Sequence, residues 1–303
     1  MNKHGLSRDI PHGVEGEVRR RCKFSCILCD SGLYHFHHFD PPFAEAIRHD
    51  PNGITLLCGT CHDYVERGLK SNAEIVEADR RRVNETPVAN VFLSVQKPFY
   101  TVLGSLIFPT EGPLVTHNGQ PVLAVTASEL GKLEITADLI DINGQSRLLI
   151  EDNAIRIHPD SWDVKVQGPV IRMWSKPKSV FAEIVLHPPN GIHIRDFAIR
   201  LGNWIIDTRE RGRFSARRIE SDNPENICGG IFAAGAIVSE GPLCLNQEGF
   251  SMGPSCIDMS YDSKRLYQLA DEGKMSQLIR EITGPRPRPD GGLVKIQIVP
   301  PQN

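Results

Sequence analysis

The sequence lacks a long apolar run. No segment approaches the roughly 20 residues that a membrane-spanning helix needs, so no membrane association is expected. The opening stretch, MNKHGLSRDIPHG, holds no apolar core of the kind a secretory signal carries. The chain is therefore expected in the cytoplasm, with a prokaryotic source as the working assumption. An excess of one charge is lacking too. With 34 basic and 37 acidic residues the net charge is −3, which excludes a uniformly basic nucleic-acid binder but not a local basic patch. A disulfide framework is not expected of eight cysteines in a chain that looks unexported; metal ligation or free thiols are. A hydrophobic content of 40% and a charged content of 23% suit a globular protein that buries a core, and 303 residues allow one large domain or two ordinary ones.

The cysteines are unevenly placed. Cys22, Cys26, Cys29, Cys58 and Cys61 cluster early, and two pairs, CILC and CGTC, have the C-x-x-C spacing. That spacing lets one tight turn aim two thiolates at one ion, and two such turns complete a tetrahedral zinc site. Cys26, Cys29, Cys58 and Cys61 are thus expected to hold structural zinc, with Cys22 spare. Redox dithiols would want a β-α-β context, which is missing. Cys228, Cys244 and Cys256 read as small buried hydrophobes.

Between the two cysteine pairs lies YHFHHFDPP, with His35, His37 and His38 in four positions. The pattern predicts a strand near 33–39, a loop with a short helical piece near 42–49, a strand near 53–57 and a helix near 60–69. Histidine titrates near neutral pH and ligates metals as the neutral imidazole. For any one of these histidines a wet surface position would be the ordinary reading, and His35 keeps it. His49 reads as a loop residue that either contacts nucleic acid or does nothing special.

The stretch RCKFSCILCDSGLYHFHHFDPP…RHDPNGITLLCGTCHDYVERGLKS resembles the HNH endonucleases that carry a zinc knuckle, within the ββα-metal nuclease group. The resemblance spans about residues 18–75. It rests on the paired C-x-x-C motifs, the His-His at a strand end, an Asn before the second knuckle and a His directly after it. It implies that His38 is the general base, that Asn52 orients it, and that His37 and His62 ligate a catalytic divalent metal. Some members of the family have a further ligand one helical turn on, the position of Glu66 here. Histidine at the place of the family's frequent Asp makes His37 a softer ligand and leaves Mg²⁺, Mn²⁺ and Ni²⁺ all open as the catalytic ion.

The chemistry agrees with this independently. Phosphodiester hydrolysis needs a group that deprotonates water, and relief of the charge that grows on the phosphate and the leaving oxygen. An isolated strand would point His37 and His38 to opposite faces, so they can converge only where the strand ends, and DPP follows directly. The expected partner is DNA, with Arg19, Arg20, Arg21 and Lys23 as candidate phosphate contacts. Arg80, Arg81 and Arg82 read equally well as a phosphate-binding patch or a solvated helix face.

From about residue 90 the texture changes to short β-forming runs about ten residues apart, separated by Gly, Asn and Pro turns. A sandwich, barrel or solenoid is expected. HNGQPVLAVTAS and INGQSRLLIEDN each read as an Asn-Gly turn feeding a strand. A helix is expected near 263–284, then an exposed arm, GPRPRPDGG, and a last strand, LVKIQIV. ICGGIFAAGAIVSEG reads as a packed strand or a subunit contact. His158, Asp160, Asp163 and His187 read as ordinary surface or turn residues. The expected fold class is α+β multidomain: residues 1–88 a small zinc-bound ββα-metal domain, residues 89–303 a larger mainly-β domain for regulation, recognition or homo-oligomerisation. The expected function is metal-dependent DNA cleavage, with defence against foreign DNA as its setting. The competing readings are a non-catalytic zinc module that binds DNA or protein, and an oligomerising assembly protein with a dependent nuclease effector.

Overall fold

A computed structural model describes residues 1–84, 88–90, 99–129, 132–145, 147–151, 153–157, 163–176, 179–187, 190–210, 212–219, 227–232, 236–239, 241–247, 249–253, 255–258 and 263–283. The expected arm at 284–292 and last strand at 293–299 lie outside the described residues, as do His158 and Asp160. No helix among the described residues is long and apolar enough to cross a membrane.

The N-terminal segment contains helix α1 (His12–Arg21), strand β1 (His35–His38), strand β2 (Ile54–Leu57), helix α2 (Gly59–Glu66) and helix α3 (Asn72–Arg82). Strand β2 is an unbroken apolar-rich run, ITLL, and all four residues are buried. It pairs antiparallel with β1, His37 opposite Thr55 and His38 opposite Ile54. Around it pack Val18 of α1, Ile27, Phe39, and Ile75 and Ala78 of α3. Helix α3 starts on a capping box in which Ser71 and Glu74 satisfy each other's backbone N–H groups. The short helical piece expected near 42–49 is a turn, where Pro42 O accepts from the Glu45 and Ala46 N–H groups. Gly53 is required by close approach, since a Cβ there would sit 1.8 Å from Asp40 O.

Beyond residue 88 the strands form three larger sheets. The first, of eight strands, runs from Phe250–Met252 at one edge through Gly112–His117, Gln120–Ala127 and Leu133–Ile140 to Val88–Asn90 at the other. Period-two burial is clear in Leu133–Ile140, where Leu133, Ile135, Ala137 and Leu139 face the core. The hairpin before it turns at Asn118 and Gly119, both at positive φ, as its Asn-Gly pair predicted. The second sheet, also eight strands, begins at the antiparallel hairpin of Asp163–Gln167 and Val170–Lys176 and ends at Ser255–Asp258. A third sheet of four strands spans Ala198–Leu201 to Ile227–Phe232. One continuous core joins all three, with Phe108, Phe197, Phe214 and Trp204 among its largest side chains. The ICGGIFAAGAIVSEG stretch is divided: Ile227–Phe232 pairs in the four-stranded sheet, Ala236–Ser239 in the second eight-stranded one.

The single helix expected near 263–284 is two, α4 (Ser263–Asp271) and α5 (Met275–Thr283), parted at Gly273, which has positive φ. Their Leu266, Leu269, Met275 and Leu278 bury against Tyr100, Val102, Ile107 and Val238.

The α+β multidomain class is overturned. Among the described residues, strands make up 45%, in several sheets of which none closes into a barrel, helices are few, and no small ββα zinc domain stands apart. The physical reason is docking. Phe24, just after α1, belongs to the main β core. The loop before β1 is tied to the first sheet, where Asp30 O accepts from the Asn90 N–H and the Gly32 N–H donates to Asn90 O, each at 2.7 Å. Strands β1 and β2, four residues each, are too short to bury a core alone. They lean on a much larger β structure.

Candidate metal and hydrolytic site

The turns that carry the cysteines are built by hydrogen bonds. Lys23 and Phe24 both take the left-handed backbone conformation, which swings the chain out of α1 into the first turn. There the Cys26 N–H donates to Ser31 O at 2.8 Å and the Asp30 N–H to Cys26 O at 3.0 Å. Arg82 of α3 clamps this turn from behind, donating to Cys22 O, Ser25 Oγ and Asp30 Oδ1. The second turn opens α2, and Cys58 is that helix's N-cap: its sulfur accepts from the Cys61 N–H at 3.4 Å.

The four sulfurs of Cys26, Cys29, Cys58 and Cys61 all lie within 4.8 Å of one another. Cys29 Sγ is 3.6 Å from Cys58 Sγ and 3.7 Å from Cys61 Sγ. A Zn–S bond of about 2.3 Å puts the edge of a ZnS₄ tetrahedron at about 3.8 Å, whereas a disulfide needs about 2.05 Å. The set therefore fits a metal such as zinc. Desolvation, with the neighbouring thiols, pushes Cys29 up to about 11 and raises Cys61 as well. At Cys58 desolvation is outweighed by hydrogen bonds from Cys61 and the adjoining thiols, and its thiol is lowered. Only a cation at the centre would let all four ionise together. Cys22 stays outside the set, buried against Thr55 Oγ1 at 3.4 Å, and burial raises its thiol.

The second group lies at the end of β1. Helix α2 presents His62 one residue after Cys61 and Glu66 one turn on, with His62 Nε2 3.9 Å from Glu66 Oε1. The His37 ring stands 5.0 Å from that of His62, nearly perpendicular to it. Ligand atoms of His37, His62 and Glu66 all fall within 4.8 Å of one another, so these three could close on one ion. Burial, then the charge of a protonated His62, lowers His37, which holds it in the neutral, ligating form.

His38 lies beside this group rather than in it. Burial, then His49 and His37, pushes it down to about 4, so it is a neutral proton acceptor at ordinary pH. Its Nε2 is 3.0 Å from His49 Nδ1. Asn52, expected to orient the base, is exposed in the turn Pro51–Gly53 and donates its backbone N–H to Asp50 Oδ1 at 3.0 Å. The side chain in hydrogen-bond contact with His38 is that of His49. It is eleven residues from His38 in sequence, and no local pattern signals it.

A cleft of about 950 Å³ opens on His37, His38, His62 and Glu66. Another part of its wall is Lys165, Val166, Gln167 and Gly168, from the hairpin of the second sheet. No sequence signal pointed to that wall. The expected basic cluster has been put to other use. Arg19 is 5% exposed and grips Asp163, Nε to Oδ1 at 3.0 Å and Nη2 to Oδ2 at 2.6 Å. Asp163, 2% exposed, is thus no surface residue. Arg21 pairs with Asp79 and donates to the Pro51 and Ile54 carbonyls. Arg20 is exposed and Lys23 half-buried. His187, also expected at the surface, is mostly buried, 3.6 Å from Asp271 and with its ring 4.3 Å from that of His193.

No protein-family model matches the chain, and neither a curated protein nor a solved structure is similar to it.

Proposed function

We propose that the protein is a metal-dependent endonuclease that hydrolyses phosphodiester bonds in DNA, of the HNH kind, with defence against foreign DNA as its setting. One observation carries this reading: a neutral histidine, His38, adjoins a His37–His62–Glu66 ligand set in a single cleft. A module that only binds zinc has no use for that combination.

The roles follow from the atoms. Cys26, Cys29, Cys58 and Cys61 would hold structural zinc, which fixes the start of α2 and hence the direction of His62. His37, His62 and Glu66 would hold a divalent ion, Mg²⁺, Mn²⁺ or Ni²⁺, which supplies charge neutralisation at the phosphate and the leaving oxygen. His38 accepts the proton of the attacking water at Nδ1. For that, its Nε2 must carry the hydrogen and donate to His49 Nδ1. His49 then keeps its own proton on Nε2, a buried atom with no hydrogen-bond partner in the structure. In this arrangement His49 would orient His38 through a hydrogen bond, the part that Asn52 was expected to play.

The test is conversion of supercoiled plasmid to nicked or linear forms with each of the three ions. His38→Ala should lower the rate at least about a hundredfold, within what general base catalysis contributes, while zinc content and folding stay unchanged. A His38→Ala protein that cuts like the wild type would refute the role of His38.

A further inference from the structure

We propose that Arg8 and Lys165 are the phosphate-positioning pair of the cleft, so that the hairpin of Asp163–Gln167 and Val170–Lys176 completes the nucleic-acid site. This rests on the nuclease reading and extends it to the side chains that hold the strand. A hydrolytic site needs cations that position the phosphate backbone as well as groups that cleave it. The basic run after residue 18 does not supply them in full, because Arg19 and Arg21 are committed to Asp163 and Asp79. The cleft itself is lined by Arg8 and Lys165.

Arg8 is exposed, with its guanidinium 5.0 Å from the centre of the Phe43 ring. The Phe43 ring in turn lies 5.2 Å from that of His38. A stacked guanidinium keeps its N–H edge available for phosphate oxygens, here one aromatic ring away from the base. Lys165 reaches the cleft for a reason of strand geometry. Successive side chains alternate, so Lys165 shares a face with Asp163, and Asp163 is held against α1 by Arg19. The Lys165 ammonium is 3.9 Å from Glu15 Oε2, a carboxylate oxygen that Arg19 also contacts at 3.4 Å. A long, shared contact of this kind is weak and is readily exchanged for a phosphate. The two cations come from distant parts of the chain, one before α1 and one from the second sheet. Residues 1–90 alone would therefore hold the hydrolytic group without this part of the cleft wall.

The test uses the full-length, zinc-loaded protein and a fluorescent DNA duplex, with no divalent ion added and no chelator. Binding by anisotropy is measured across a salt series, from low to moderately high salt, for wild type, Arg8→Gln, Lys165→Gln and the control Lys132→Gln. Removing one phosphate-neutralising cation should lower the slope of log K against log salt by about 0.9. Arg8→Gln and Lys165→Gln should each show this, with KM for plasmid cleavage raised severalfold and kcat within about twofold. Lys132→Gln, outside the cleft, should match wild type. Unchanged slopes for both cleft variants would overturn the proposal while leaving the nuclease reading intact if the wild type still cuts. A wild type that neither binds nor cuts DNA would overturn both.

Discussion

Truncating Asp163 tests how the N-terminal segment is held to the β structure. Arg19 and Asp163 are both buried, and the guanidinium meets the carboxylate through two hydrogen bonds at 3.0 and 2.6 Å. Asp163→Ala leaves the Arg19 charge buried. Breaking one side of a buried pair costs about 3–5 kcal/mol. Arg19 keeps a second acceptor, Glu15 Oε2 at 3.4 Å, so the lower end applies, about 3 kcal/mol. For a chain of this size, about 2 °C of melting temperature is lost per kcal/mol, so a fall of about 6 °C is expected. The assay is chemical and thermal unfolding of the zinc-loaded protein, with zinc content measured on the same samples. Zinc should be retained, because no sulfur ligand is touched. The double variant Arg19→Met with Asp163→Leu should recover most of the loss, since an apolar pair of similar volume replaces two desolvated charges. A single-variant loss below about 0.5 kcal/mol, in the range of an ordinary surface change, would show that the two parts are not held together here.

Other outcomes follow from the same geometry. Cys58→Ser should lose zinc and melt at lower temperature, since ligation at such a site is folding free energy; full zinc retention would remove Cys58 from the ligand set. His49→Ala should lower kcat and leave zinc content unchanged, with His49→Asn restoring part of the rate by accepting the same hydrogen bond; equal rates in all three proteins would mean that His38 needs no orienting partner. Burial, then His187 and Arg195, pushes His193 down to about 3, against about 6.5 for the unfolded chain. Between these values the unfolded state binds the extra proton, so this contribution is whole above about pH 6.5 and falls as pH drops toward 3, by up to about 1.4 kcal/mol per unit. His193→Gln should flatten the loss of stability between about pH 6 and about pH 4, and an unchanged slope would refute the assignment.

What the sequence made legible was local. Two C-x-x-C pairs announce a metal-competent turn because each pair is set by one short loop, and the four sulfurs do meet. The Asn118–Gly119 turn was readable for the same reason, since its backbone conformation depends on two residues. Partners distant in sequence were not readable. Arg19 and Arg21 look like phosphate contacts in a run of basic residues, yet their carboxylates are 144 and 58 residues away. Asn52 was assigned beside His38 by the family resemblance, and a resemblance could not show that the loop would turn His49 toward His38 instead. The expected separate zinc domain failed because nothing in the segment reveals that Phe24 belongs to another core. The three β sheets were legible as strands, but their order depends on parallel pairings such as Gly191–Arg195 beside Tyr100–Leu103, which no local pattern encodes.

The nuclease reading depends above all on His37, His62 and Glu66 binding a hydrolytic ion distinct from the one held by the four cysteines. The decisive comparison sets wild type against His62→Ala on supercoiled plasmid with manganese, with zinc per chain determined in the same preparations. Both proteins should carry about one zinc per chain, with cleavage by the wild type and none by His62→Ala. No cleavage by the wild type with any of the three ions, or equal cleavage by His62→Ala, would contradict the reading.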